Sequence, residues 1–330
     1  MKPFAHLPKV DIHLHLDCSL SYRVVKRINP SITEAGYRNQ FIAPEKCLNL
    51  ADFLTRTFSS INLMQTATHL QWVVEDLFEQ LVADNVIYAE LRFAPLQHLE
   101  KGLTPAEVVS AVEKATAAAI KATGVEARII LCTLRHYTEA QSMETVLLAE
   151  QFKGATVAGF DIAADEAGFP VNNHIAAFNY AHEKGIQCTA HAGEAKGAES
   201  VWETLQHFKP TRIGHGVRSI EDERLVQHLR EQKIHLEICP ACNVQINIYD
   251  TYRQHPVNQL YKAGVSLNIN TDARAITNIS LTREYDRLQK EFGWTARDFY
   301  NCNVYAVDAA FIPAELKEKL KQQLHAAYLS

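Results

Sequence analysis

The chain has 330 residues, 47% hydrophobic and 22% charged, which supplies a large core and excludes a disordered or fibrous class. A formal net charge of -5 provides no broad cationic field for a phosphate backbone and argues against nucleic acid as a partner. No apolar run approaches the ~18 residues of a membrane span, and Met1–Lys9 lacks the apolar stretch of a secretion signal. The seven cysteines are odd in number and scattered from Cys18 to Cys302, so reduced thiols, a cytoplasmic location and no membrane association are expected.

Eight short apolar or β-branched runs are predicted as strands: Val10–Leu16, Val86–Phe93, Ala127–Leu134, Thr156–Ala163, Ile186–His191, Arg212–His215, Ile234–Cys239 and Val265–Asn270. Most intervals between them have helical patterns. Pro105–Ala122 carries alanine at helical spacing, and Asn172–Lys184 opens on a candidate asparagine cap and stops before Gly185. The longest interval, Ser19 to about Asn85, contains the helical-looking Leu50–Leu63 and Thr68–Leu81 and is predicted to sit above the first strand as a lid.

Near-continuous apolar strands joined by helices imply a parallel sheet buried on both faces, and eight of them predict a (β/α)8 TIM barrel; an open doubly wound sheet is the alternative. Barrels commonly run past ~250 residues as one unit. No linker, charge run or repeat divides the chain, so a single domain over residues 1–330 is expected.

Metal-binding residue types gather at the ends of these runs, where barrel enzymes place their sites. His13-Leu14-His15 puts two imidazoles on one face of the first strand, because side chains at i and i+2 point the same way. The fifth run ends in His191-Ala192-Gly193-Glu194, the sixth in Gly214-His215-Gly216 and the eighth in Thr271-Asp272. The flanking glycines suit His215 to close approach by a ligand. Singly, each histidine reads as a satisfied interior donor and the aspartate as a helix cap. Together, four strand ends at one rim read as a site for one metal ion. Three nitrogens, a carboxylate and a free position suit zinc best, with iron, cobalt and nickel as alternatives. The free position implies catalysis, since a structural zinc would be closed by four protein ligands and would leave Glu194 and His215 without a role.

Cys239-Pro240-Ala241-Cys242 reads as a redox pair, half of a zinc knot or structural cysteines; with no second pair and no thioredoxin-like context, the structural reading is preferred. The cytidine-deaminase signature of His-x-Glu followed by Pro-Cys-x-x-Cys is not matched. The glutamate here stands three residues after His191, and proline lies inside the cysteine pair.

The motifs in order, from Pro8 through His13, His15 and Asp17, then Asp161 through Glu166, His191–Glu194, Arg212–Gly216, Ile238–Pro240 and Leu267–Asp272, resemble the adenosine deaminase family of the metal-dependent amidohydrolase superfamily. The resemblance implies that His13, His15, His191 and Asp272 bind one zinc ion. It also implies that metal-bound hydroxide attacks C6 of adenosine or deoxyadenosine, releasing ammonia and leaving inosine or deoxyinosine. By the same resemblance Glu194 protonates purine N1, His215 orients and stabilises the hydroxide, and Asp272 accepts its hydrogen bond. Asp17 would contact the sugar, the amide near Ala164 purine N3, and Leu50, Phe53 and Leu54 the ligand from an apolar helix.

The chain departs from the family pattern at Ala273, where a second aspartate often reaches purine N7, at Ala164, where glycine is common, and at Cys18, where glycine is usual. Arg274, one position on, is not expected to replace that aspartate. These changes bring in modified purines, namely aminodeoxyfutalosine, an N6-alkyl adenine nucleotide or free adenine, as alternative substrates. Binuclear relatives of the phosphotriesterase or dihydroorotase kind commonly carry a bridging lysine on the fourth strand, where this chain reads Gly159-Phe160-Asp161-Ile162-Ala163. A non-catalytic nucleoside-binding relative would need neither Glu194 nor His215. The expected partner is a small purine nucleoside.

Overall fold

Strands that are apolar on both faces require cover on both faces, and closing them into a ring leaves no edge exposed. In the computed structural model, which describes residues 4–329, all eight predicted runs form strands. They are β1 Lys9–His15, β2 Val86–Phe93, β3 Glu126–Leu134, β4 Val157–Ala163, β5 Gln187–Ala192, β6 Arg212–His215, β7 His235–Ile238 and β8 Leu267–Ile269. Their spatial order is their chain order, and every neighbouring pair is parallel. The ring closes just beyond β8: His15 N–H donates to the Asp272 carbonyl at 2.8 Å, and Asp272 N–H to the His13 carbonyl at 2.9 Å. Asn270 Oδ1 adds to this seam by accepting from the amides of Ile12 and His13 at 2.9 and 3.1 Å. The fold is a (β/α)8 TIM barrel, with the open doubly wound sheet excluded.

Helices cover the outside. Pro105–Thr123 shows why they start and stop where they do. Thr104 and Glu107 form a capping box, Pro105 needs no N–H partner at the first turn, and Gly124 at φ 76 ends the helix. Its buried residues Val108, Val109, Val112 and Ala115 lie in the main apolar core, with strand residues such as Leu91 and Ile129. Between β1 and the helix Ala67–Ala83 run the shorter helices Tyr22–Ile28, Glu34–Phe41, Leu50–Leu54 and Thr57–Leu63. No helix among the described residues is long and apolar enough to cross a membrane.

Two helical expectations change in detail. The stretch Leu50–Leu63 is broken at Thr55 and Arg56, where Thr55 Oγ1 donates to the Asp52 carbonyl at 2.6 Å and Thr57 Oγ1 to the Leu54 carbonyl at 2.7 Å. These hydroxyls engage backbone carbonyls at the break, the kind of competition that interrupts helices. Asn172 does not cap a helix. Asn172–His174 form a 3-10 turn and the α-helix begins at Ile175, with the His174 ring buried against Ser142 Oγ and the Arg135 carbonyl, both at 3.1 Å.

Inside the barrel, charge stands where an apolar filling would be ordinary. Arg92 on β2 donates to Asp161 on β4 and to Glu237 on β7, both at 2.7 Å, and Arg212 on β6 donates to Glu90 on β2 at 2.6 Å. Arg212 Nε also lies 2.7 Å from Glu237. All five side chains are fully buried or nearly so. Removing one partner of such a network leaves buried charge without compensation. Arg92→Met is therefore expected to destabilise the protein by about 3–5 kcal/mol in urea unfolding. A loss below about 1 kcal/mol would show that Asp161 and Glu237 find other donors.

Candidate active site

The carboxyl ends of β1, β5, β6 and the chain just past β8 bring His13, His15, His191, His215 and Asp272 to one rim. Gly214 makes this crowding feasible: a Cβ there would lie 2.9 Å from His13 Cε1 and 3.2 Å from His191 Cγ. The glycine before His215 thus makes room for neighbouring imidazoles, where the sequence suggested room for a ligand. Three residues of the rim without glycine's freedom adopt left-handed backbone: Ala164 at φ 80, His215 at φ 59 and Asp272 at φ 57. Such conformations cost of order 1 kcal/mol or more and persist where surrounding structure over-determines them.

The ligating atoms of His13, His15, His191 and Asp272 all lie within 4.8 Å of one another. Asp272 Oδ1 is 3.3 Å from both His13 Nε2 and His15 Nε2, and the Nε2 atoms of His15 and His191 are 3.2 Å apart. Four tetrahedral bonds of about 2.0 Å require edges of about 3.3 Å, so these separations fit a zinc-sized ion. His13 Nε2 is buried without a hydrogen-bond partner. Its Nδ1 faces Glu237 at 2.7 Å, and His191 Nδ1 faces Asp161 at 3.1 Å. Each carboxylate takes the ring proton on its own side and leaves Nε2 bare toward the cluster, as a metal-binding histidine requires. Burial lowers the pKa of His13 to about 4 and that of His15 well below its usual value, keeping both rings neutral. The residues fit a metal cofactor.

Glu194 and His215 stand across from this cluster, with Glu194 Oε1 3.5 Å from His215 Nε2. Burial pushes the Glu194 carboxyl well above its ordinary range, and the charges of Asp272 and Glu166 push further, against a smaller opposing effect from Arg135. Its backbone is held by Glu166. That carboxylate accepts from the consecutive amides of Gly193, Glu194, Ala195 and Lys196 at 2.7, 3.0, 2.6 and 2.9 Å, and from Ser200 Oγ at 2.6 Å.

The rim encloses a cavity lined by Leu50, Phe53, Leu54, Ala164, Ala273 and Cys18, with His15, His191, Glu194, His215 and Asp272 at its floor. Room for water-sized molecules is about 50 Å³. That holds a few waters and is too small for a purine nucleoside. The proposed substrate residues Leu50, Phe53, Leu54, Ala164 and Ala273 thus meet at the cavity. Asp17 is buried beside it and outside its lining, 3.9 Å from His15 Nδ1. Arg274 turns away: its guanidinium is 3.0 Å from Asp84 and 3.7 Å from Asp11, so it does not stand in for the missing aspartate.

The sequence reading missed several residues around the site. Arg92 and Glu237 are signalled in the sequence only by charge at inward positions of otherwise apolar strands, and Arg212, within a recognised motif, shows its role only through its pairing with Glu90 and Glu237. Asn243 and His255 behind His215 carry no local signal. Cys242 has its Sγ 3.9 Å from Glu194 Oε1, and Cys239 Sγ lies within 4.8 Å of ligand atoms of His13, His215 and Asp272. All seven cysteines are free and buried, so Cys239 and Cys242 are not joined as a disulfide.

A closed parallel barrel with three histidines and an aspartate converging at its carboxyl rim defines a metal-dependent barrel enzyme. The adenosine deaminase family description matches residues 8–327. Adenosine deaminase of Clostridium perfringens is 32% identical over 323 residues, covering 96% of this chain and 97% of that protein. Adenosine deaminase 1 of Streptomyces coelicolor is 36% identical, covering 93% of this chain and 83% of that protein. Among solved structures, the adenine deaminase of Arthrobacter aurescens matches with a TM-score of 0.89 at 24% identity, over 97% of this chain and 98% of that one, a likeness of fold. The chain belongs to the adenosine deaminase family.

Glu166 provides a test of how the acid is positioned. Glu166→Gln nearly preserves shape but turns an amide nitrogen toward backbone donors. A stability loss of about 1–3 kcal/mol is expected, with faster hydrogen exchange at residues 193–196. Unchanged exchange at those amides would show that the loop holds its shape without the carboxylate.

Proposed function

We propose that this chain is a single-domain aminohydrolase that converts adenosine or deoxyadenosine and water to inosine or deoxyinosine and ammonia. One zinc ion per chain would be held by His13, His15, His191 and Asp272. The observation that carries the reading is a buried carboxyl, Glu194, within 4.8 Å of the Asp272 oxygen of the cluster, where burial raises its pKa well above the ordinary value. When bound, zinc supplies the Lewis acidity that brings a water's pKa to about 7.

The protein's own groups do the rest. Adding oxygen to C6 disrupts an aromatic ring unless a ring nitrogen takes a proton as the bond forms, and Glu194 holds that proton for N1. His215 orients the attacking oxygen and stabilises its charge, and Asp272 accepts its hydrogen bond. The C6–N bond then breaks as the nitrogen takes the proton still on the added oxygen, leaving a C6 carbonyl and ammonia, and the water's other proton returns to Glu194. Asp17 meets the sugar hydroxyl and the Ala164 amide purine N3. Leu50, Phe53 and Leu54 close over the base as a lid that opens to admit it, since the enclosed space is too small for entry otherwise. One zinc accords with a β4 whose inward position is Asp161, engaged with Arg92 and His191, and not lysine. Seven free, buried cysteines accord with work in the cytoplasm.

A second reading rests on Ala273. It is buried in an apolar cluster with Cys18, Leu50 and Phe53, and it offers no polar contact to purine N7. A modified adenine nucleoside or nucleotide, or free adenine, is the substrate class this would favour.

Ammonia release from adenosine, deoxyadenosine, adenine, guanosine and aminofutalosine separates these readings, with adenosine or deoxyadenosine expected to turn over fastest. No release from any of them would end the deaminase reading. Glu194→Gln is expected to lower kcat by at least about 10²-fold with zinc content unchanged; near-normal turnover would remove Glu194 from the mechanism. Burial favours its acid form up to a higher pH, so turnover in the wild type should fall as pH rises through that pKa. Metal analysis should return one tightly bound ion per chain, lost with activity on chelation; two such ions would overturn the mononuclear site.

A further inference from the structure

What His215 can do at the site depends on which of its ring nitrogens carries a proton toward it. A chain of buried groups behind it settles this. The Val257 backbone amide, which has only a proton to give, lies 3.1 Å from His255 Nδ1. His255 Nδ1 therefore accepts, and the ring proton is on Nε2, 3.2 Å from Asn243 Oδ1. That donation orients the Asn243 amide, whose Nδ2 then points at His215 Nδ1, 3.1 Å away. His215 Nδ1 must accept, and its own proton is confined to Nε2, on the side where Glu194 Oε1 stands at 3.5 Å.

All three side chains are buried, so water does not compete for these bonds. The helix Pro240–Gln245 that carries Asn243 is itself held at its start, with the Ala241 amide donating to Glu284 at 2.8 Å.

We propose that Asn243 and His255 are positioning residues that transmit the direction of the Val257 amide to His215 and fix it as an Nε2–H donor facing the reacting atoms. Resting on the deaminase reading above, this assigns His215 to donating a hydrogen bond to the attacking oxygen, and makes it unable to take a proton from water at the Nε2 that already carries one. Any proton lost by the nucleophile must go to a carboxylate of the site.

The test uses the full-length, metal-containing protein labelled with 15N-histidine, with His215 assigned by the loss of its signals in His215→Gln. Long-range 1H–15N spectra are expected to show a bare Nδ1 and a protonated Nε2 in the wild type. Asn243→Asp keeps the shape but replaces the donor with an acceptor. It should move a proton onto Nδ1 and lower kcat by about 10²-fold, with KM within about threefold and the melting temperature near wild type. His255→Phe releases the Asn243 amide and should give two His215 tautomers, with a smaller loss of kcat. A wild-type His215 protonated at Nδ1 overturns the proposal, as does Asn243→Asp with unchanged kcat. If Asn243→Asp does not fold, the wild-type and His255→Phe spectra still decide. Failure of the wild type to release ammonia from any aminopurine would count against the deaminase reading, while the tautomer measurement decides the relay separately.

Discussion

A carboxylate removed from water must be surrounded by donors, and Glu237 at the barrel axis is surrounded from four directions. One oxygen faces His13 Nδ1 and Arg92, the other Thr189 and Arg212. Those partners come from β1, β2, β5 and β6, so a single side chain on β7 ties together more than half of the ring. Burial alone would raise its pKa, but the guanidinium groups of Arg92 and Arg212 and the hydrogen bond from His13 hold it well below the usual range. The same bond that discharges this electrostatic debt orients His13 and leaves its Nε2 bare at the rim. The packing of the barrel and the orientation of the His13 ring at its rim therefore both depend on one charge.

A second carboxylate repeats the device at the backbone level. Glu166 gathers four successive amides of the loop after β5, and that loop carries Glu194. Its negative charge contributes to keeping Glu194 protonated. Glu166 thus fixes the position of Glu194 and adds, after burial and Asp272, to the rise in its pKa. With left-handed residues at the end of β6, His215, and just past β8, Asp272, the backbone is strained at the rim and stiff beneath it.

The barrel was readable because its strands announce themselves as eight apolar runs at crossover spacing, and the cluster because its ligands sit at the ends of those runs. Charged residues within the runs were the harder part. Glu90, Arg92, Arg212 and Glu237 interrupt apolar strands in a way that contradicts a filled interior until their mutual pairing is seen, and that pairing joins residues up to 145 positions apart. Asn243 and His255 were illegible for a different reason. Their roles depend on which way an amide and a ring face, set by a tertiary contact that no spacing encodes. The break at Thr55 likewise accompanies side-chain hydrogen bonds, from Thr55 and Thr57 to backbone carbonyls, that compete with helical periodicity.

Selectivity follows from what surrounds Ala273. Asp272 bridges β1 through its backbone and faces the cluster with its side chain, and Arg274 is committed to Asp84 and Asp11. Neither can supply a polar contact from position 273. The wall there consists of Ala273, Cys18, Leu50 and Phe53, with Cys239 and Cys242 behind. Apolar enclosure discriminates between ligands by size and only weakly, whereas a buried hydrogen-bonding group rejects analogues that leave it unpaired. Glu194 is the buried polar group that faces the cavity from outside the cluster and its His215 partner. In the function proposed above, with the Ala164 amide at N3, Glu194 would both recognise N1 and deliver its proton, which would couple choice of substrate to the chemical step more tightly than a polar contact at position 273 could.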